Sequence, residues 1–86
     1  MNIFNGPISR VQLIQTITRP DGTQVWYLNG LRHRTDGPAA IYPNGYQAWY
    51  LNDLRHREDG PAIIRPDGTQ VWYLNGIRID PAGQQQ

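Results

Sequence analysis

The sequence predicts an all-β fold: an antiparallel meander of repeated β-hairpins, about three 23-residue units, forming one elongated, twisted sheet. Three observations predict it. Eleven residues at 20–30, reading PDGTQVWYLNG, recur unchanged at 66–76, and a diverged copy, PNGYQAWYLND, stands midway at 43–53. Trp26, Trp49 and Trp72 are spaced by 23 residues, as are Pro20, Pro43 and Pro66, so one short supersecondary unit is stacked on copies of itself. Between the copies, short runs of valine, tyrosine, tryptophan and isoleucine are bounded by Pro-Asp-Gly, Asn-Gly and Asp-Gly-Pro clusters, the punctuation of hairpins.

Taken in order, residues 1–19 form an N-terminal capping segment, with Asn5-Gly6-Pro7 leading into a strand-like run at 11–18. Stacked repeats require such atypical ends. Residues 20–80 then hold three hairpin units, the last truncated. Pro20-Asp21-Gly22, Pro43-Asn44-Gly45 and Pro66-Asp67-Gly68 favour a type I turn closing in a G1 bulge. Asn29-Gly30 and Asn75-Gly76 carry the dipeptide of a two-residue type I′ turn, in which both central positions need positive φ, and Asn52-Asp53 adopts it less easily. Asp36-Gly37-Pro38 and Asp59-Gly60-Pro61 make a looser corner from which the next strand starts. Residues 81–86 are expected to be a disordered tail.

These turns fix which side chains share a face. A two-residue turn at Asn29-Gly30 sets Leu28 against Leu31, Tyr27 against Arg32 and Trp26 against His33. One side of the sheet then carries Trp26, Trp49, Trp72, Leu28, Leu51, Leu74, Leu31, Leu54, Ile77, Ile41 and Ile64, and it is expected to be packed. The other carries Tyr27, Tyr50, Tyr73, Arg32, Arg55, Arg78, Arg34 and Arg57. These eight are the candidate binding residues on an exposed face.

Composition narrows the function. With 86 residues and no cysteine, one small domain has neither a disulfide nor a zinc-thiolate staple, so stacking or self-association must complete its core. A homodimer is expected, because a single-layer sheet leaves its apolar side or its strand edges uncovered. The N-terminus lacks a basic segment followed by an apolar core, and no apolar stretch is long enough to span a bilayer, so the expected location is cytoplasmic, with no membrane partner. The net charge is +1 and all eight basic residues are arginine. So small an excess argues against duplex nucleic acid.

Repetition supplies each chemical group in copies, whereas an active site needs different groups converging on one point. No enzyme activity, catalytic residue, cofactor or metal is expected. His33 and His56 occur in the same Leu-Arg-His-Arg context, yet the third unit has Ile79 at that position. A site that accepts histidine or isoleucine opposite a tryptophan reads as packing. Asp36 and Asp59, each before Gly-Pro, read as turn formers with Arg34 and Arg57 as partners. The tyrosine-arginine ladder suits stacking on bases and gripping phosphate, serves equally as a hot-spot surface for a protein partner, or is solvated sheet held by cation–π pairs.

The string WYLNGLRHRTDGPAAI at 26–41, repeated in diverged form at 49–64, resembles the MORN-repeat variant family, whose units run W-x-x-N-G-x-x-H-x-x-x-G. It is most similar to the short W-Y-x-N-G-x-x-H-R-x-D-G-P-A arrays of small phage and bacterial proteins, and the resemblance covers residues 20–79. It implies β-hairpin units acting as a non-catalytic binding surface, in some bacterial relatives as antitoxins. The expected function is therefore binding of a partner macromolecule, a protein first, as a phage or bacterial inhibitor or antitoxin-like protein, in the host cytoplasm if phage-encoded. The alternative is a sponge that sequesters a nucleotide or other small anion through arginine and aromatic side chains.

Overall fold

Three turn types alternate along the chain, each where its dipeptide or tripeptide stands. In the computed structural model, which describes residues 13–80, the Arg19 N–H donates to the Thr23 carbonyl at 2.8 Å and the Gly22 N–H donates to the Arg19 carbonyl at 2.9 Å. The same pair of bonds recurs around Gly45 and Gly68. Asp21, Asn44 and Asp67 each accept the N–H two residues on, at 2.8, 3.0 and 2.9 Å, locking the turn with its own side chain. At the opposite end of each unit, Asn29, Asn52, Asp53 and Asn75 have φ between 49° and 70°, and Gly30 and Gly76 have φ of 82° and 81°. All three are type I′ turns, the middle one without glycine.

Among the described residues, ten strands run between these turns: β1 (Ile14–Thr18), β2 (Gln24–Leu28), β3 (Leu31–Arg32), β4 (Ala40–Ile41), β5 (Gln47–Ala48), β6 (Tyr50–Leu51), β7 (Leu54–Arg55), β8 (Ile63–Ile64), β9 (Gln70–Leu74) and β10 (Ile77–Ile79). All pairings are antiparallel, and a central sheet runs β1-β2-β4-β5-β8-β9-β10. The fold is the all-β hairpin meander that the turns predict. The hairpins β2/β3 and β9/β10 belong to that sheet, β3 pairing with β2 off its main path, whereas β6/β7 is a separate two-stranded sheet; the three hairpins line up as a column. Backbone bonds tie each hairpin to the next: Arg34 N–H to the Tyr50 carbonyl and Asp53 N–H to the Arg32 carbonyl, then Arg57 N–H to Tyr73 and Gly76 N–H to Arg55. Successive units therefore dock through one repeated set of contacts.

The core corrects the expected choice of face. Register aligns Val25, Ala40, Ala48, Ile63 and Val71 across the central sheet, and all five are buried. Tyr27, Tyr50 and Tyr73 lie two residues beyond Val25, Ala48 and Val71 on the same strand paths, so they share that face. Tyr50 is only 8% exposed, and Tyr27, Tyr42, Tyr46 and Tyr73 pack against the line of small side chains. The opposite row, Gln24, Ile41, Gln47, Ile64 and Gln70, is half-buried or exposed. Of the leucines and isoleucines expected inside, Leu28 is buried, but Leu31, Leu54, Leu74 and Ile77 are exposed. The physical reason is cover: the tyrosines pack against this row of valine, alanine and isoleucine, and their apolar ring bodies shield it. Asn5-Gly6-Pro7, most of the expected cap, and the expected tail at 81–86 lie outside the described residues.

Candidate binding surface

Cross-strand register pairs Tyr27 with Arg32, Tyr50 with Arg55 and Tyr73 with Arg78. Stacking runs between units. The Arg32 guanidinium lies over the ring of Tyr50 at 4.1 Å, and that of Arg55 over Tyr73 at 5.3 Å. Each arginine thus reaches forward onto the tyrosine of the following hairpin, joining two units by a cation–π contact.

Asp53 strengthens the first of these junctions. Standing where the third unit has Gly76, its carboxylate accepts from Arg32 Nε and from the Arg32 N–H. The Arg32 hydrogen bond holds the Asp53 carboxyl below its ordinary range, and the same contact raises the guanidinium. The left-handed backbone of an aspartate at this turn is offset by a charge-assisted bond that glycine cannot make.

Arg34 and Arg57 depart from the expected tyrosine side. They stack on Trp26 and Trp49, at 3.9 and 4.1 Å. Strand β3 ends at Arg32, so the alternation that would have placed Arg34 beside it stops there. The side chain instead curls into the Asp-Gly-Pro corner, where Nε donates to Asp36 at 2.9 Å and Nη1 donates to the Pro38 carbonyl at 3.1 Å. Arg57 repeats this with Asp59 at 3.0 Å and the Pro61 carbonyl at 3.1 Å. The hydrogen bond that Asp36 accepts from Arg34 is the main cause of its lowered carboxyl pKa. Glycine at the corner makes room: a Cβ on Gly37 would sit 3.1 Å from the Arg34 guanidinium carbon, and one on Gly60 only 2.7 Å from that of Arg57. The third unit has Asp80 where the first two have these arginines.

The histidines have a role that spacing alone did not reveal. Asn52 N–H donates to His33 Nδ1 at 3.0 Å, and Asn75 N–H donates to His56 Nδ1 at 2.9 Å. Each ring caps the turn of the following unit, with Nδ1 as acceptor and the neutral ring's proton on Nε2. Ile79 stands where no further unit follows among the described residues.

Between successive corners lies an open groove of about 550 Å³, lined by Arg34, Asp36, Trp49, His56, Arg57 and Asp59, among others. Its cations are already engaged, whereas the side chains of Asp36, Glu58 and Asp59 are largely exposed. Among the described residues, no group of three or more His, Cys, Asp or Glu side chains is placed to hold a metal ion, and no helix is long and apolar enough to cross a membrane. Comparison with protein-family models, curated proteins and solved structures finds no match to this chain.

Proposed function

We propose that this chain is a non-catalytic β-hairpin repeat protein that binds a protein partner in the cytoplasm, as an inhibitor or antitoxin-like protein of phage or bacterial origin. The observation that carries this reading is a strip along the stacked hairpins, Leu31-Arg32, Leu54-Arg55 and Ile77-Arg78, which repeats an apolar side chain on one face and an arginine on the other. Exposed Leu31, Leu54 and Ile77 stand in sequence beside arginines, two of which are set over tyrosines. Exposed apolar side chains on one face, and arginines set over tyrosines on the other, are both suited to a protein interface, where arginine and tyrosine are enriched. The repeated strip presents one chemistry along a line rather than different groups at a point, which favours an extended contact over catalysis. The resemblance to MORN-variant arrays supports the same reading.

The anion sponge is less favoured, because Arg32, Arg34 and Arg57 already hold carboxylates and Asp36, Glu58 and Asp59 stand at the groove. Affinity capture from the native host, with wild type and an Arg55→Ala/Arg78→Ala variant of unchanged circular dichroism, tests the proposal. One protein held by wild type and lost at least tenfold by the variant is the expected result. Equal recovery on both, or no recovery with a nucleotide raising Tm by several degrees, overturns it.

A further inference from the structure

The outer edge of β1 differs from every other exposed element of the fold. All five residues of Ile14–Thr18 are exposed, with Ile14 at 46% and Ile17 at 48%. Among the described residues, β1 pairs with β2 alone. Natural sheet edges are usually guarded by charge, proline or a bulge. This one carries none, because no charged residue or proline occurs between Arg10 and Arg19.

The hydrogen-bond phase of the edge follows from the turn that leads out of it. Arg19 donates to Thr23, and β1 pairs with β2 in the register Ile14 with Leu28 through Thr18 with Gln24. Bonded residues alternate in an antiparallel ladder. Ile17 and Gln15 therefore exchange bonds with Val25 and Tyr27, while Ile14, Thr16 and Thr18 turn their N–H and C=O groups outward. Trp26, opposite Thr16, confirms this phase. Its N–H donates to Ala39 and its carbonyl accepts from His33, both on the far side of β2.

We propose that β1 pairs antiparallel with β1 of a second copy about a two-fold axis through Thr16, making one continuous sheet. In that register Ile14 lies opposite the partner's Thr18, Thr16 opposite its own copy, and Thr18 opposite Ile14. All are outward-facing, so about six backbone hydrogen bonds form. Gln15 and Ile17 meet on the face that carries Val25, extending the core row across the axis. A two-fold axis brings each side chain near its own copy, and the strand has no charge to repel itself. The opposite edge is unsuited. Strand β10 turns only Arg78 outward, and a two-fold axis there would set arginine against arginine. An isologous β1 contact also closes on itself rather than growing into a fibre. This inference is independent of the partner strip, which lies on the hairpin column.

The chain has no cysteine, so Thr16→Cys introduces a single thiol. Opposed Cα atoms in a bonded pair lie about 5.5 Å apart, within disulfide reach. Sedimentation of wild type at tens of micromolar should give a dimer, and Thr16→Cys should cross-link on mild oxidation where Gln70→Cys does not. Thr16→Pro should give a folded monomer, because the bonds to β2 do not use the Thr16 N–H. Ile17→Lys is the second variant, and it should raise the dimer dissociation constant at least tenfold. Amide exchange in wild type should be slow at Ile14, Thr16 and Thr18 and speed up on dilution. A wild-type monomer at 100 µM, or a dimer that survives both variants without cross-linking at Thr16, overturns the proposal.

Discussion

His33 shows how one side chain serves two units. The residue is 8% exposed, sits opposite Trp26 within its own hairpin, and its ring accepts the Asn52 N–H of the next. Replacement by isoleucine, the residue the third unit uses at Ile79, keeps the apolar body and removes only the acceptor. His33→Ile is expected to lower unfolding free energy by about 1–3 kcal/mol, the cost of leaving a part-buried N–H unpaired. His33→Ala is expected to lose more, through the added cavity. Urea denaturation checks both, and equal stability of wild type and the isoleucine variant would show that water replaces the bond. The sequence marked this position as structural from Ile79, because a residue type compatible with packing is visible in one dimension. The acceptor role was hidden, because it joins residues in different units.

At the scale of the element, the three turns were legible and the faces were not. Each turn is decided by neighbours in sequence: Asn-Gly by positive φ, and Pro-Asp-Gly by a fixed φ followed by an Asx bond. Face choice depends on which row finds cover. The hairpins alone present tryptophan and leucine against tyrosine and arginine, and by hydropathy the first pair wins. The central strands decide otherwise, because Val25, Ala48 and Val71 share the tyrosine side, while Gln24, Gln47 and Gln70 lie on the tryptophan side. Those three glutamines were the available signal. Trp26 and Trp49 are covered instead by Arg34 and Arg57 from the Asp-Gly-Pro corners, whose form depends on glycine. Gly60→Ala places a Cβ against the Arg57 guanidinium and should lift it from Trp49. The expected loss is about 1–2 kcal/mol, from the cation–π contact and one or two hydrogen bonds. Denaturation and a shift in tryptophan emission measure it, and Gly37→Ala, with 3.1 Å of clearance rather than 2.7 Å, should cost less.

Across the whole molecule, stability is a sum of hairpins and junctions. The bonds from Arg34 to Tyr50 and from Asn52 to His33 recur one unit later from Arg57 to Tyr73 and from Asn75 to His56. A unit that both receives and offers this set can be inserted without new contacts being invented. Duplicating residues 43–65 in tandem is therefore expected to fold, with a higher urea midpoint and a steeper m-value, as stacked repeats gain one interface per added unit. A protein with two separated transitions, or a lower midpoint, would mean that the junctions do not couple the units. The sheet is thin, 16 Å in its smallest dimension, so nearly every residue lies close to a surface. That is why burial here separates rows within one layer rather than layers from one another.

The sequence by itself determined the repeat length, the all-β class, the position and type of each turn, and the cross-strand partners within each hairpin. These depend on backbone preferences that act over a few residues. Tertiary structure decided which face is core, where Arg34 and Arg57 stack, and why the histidines stop at the second unit. Those outcomes depend on what lies opposite in the neighbouring hairpin, and that neighbour is 19 or more residues away along the chain.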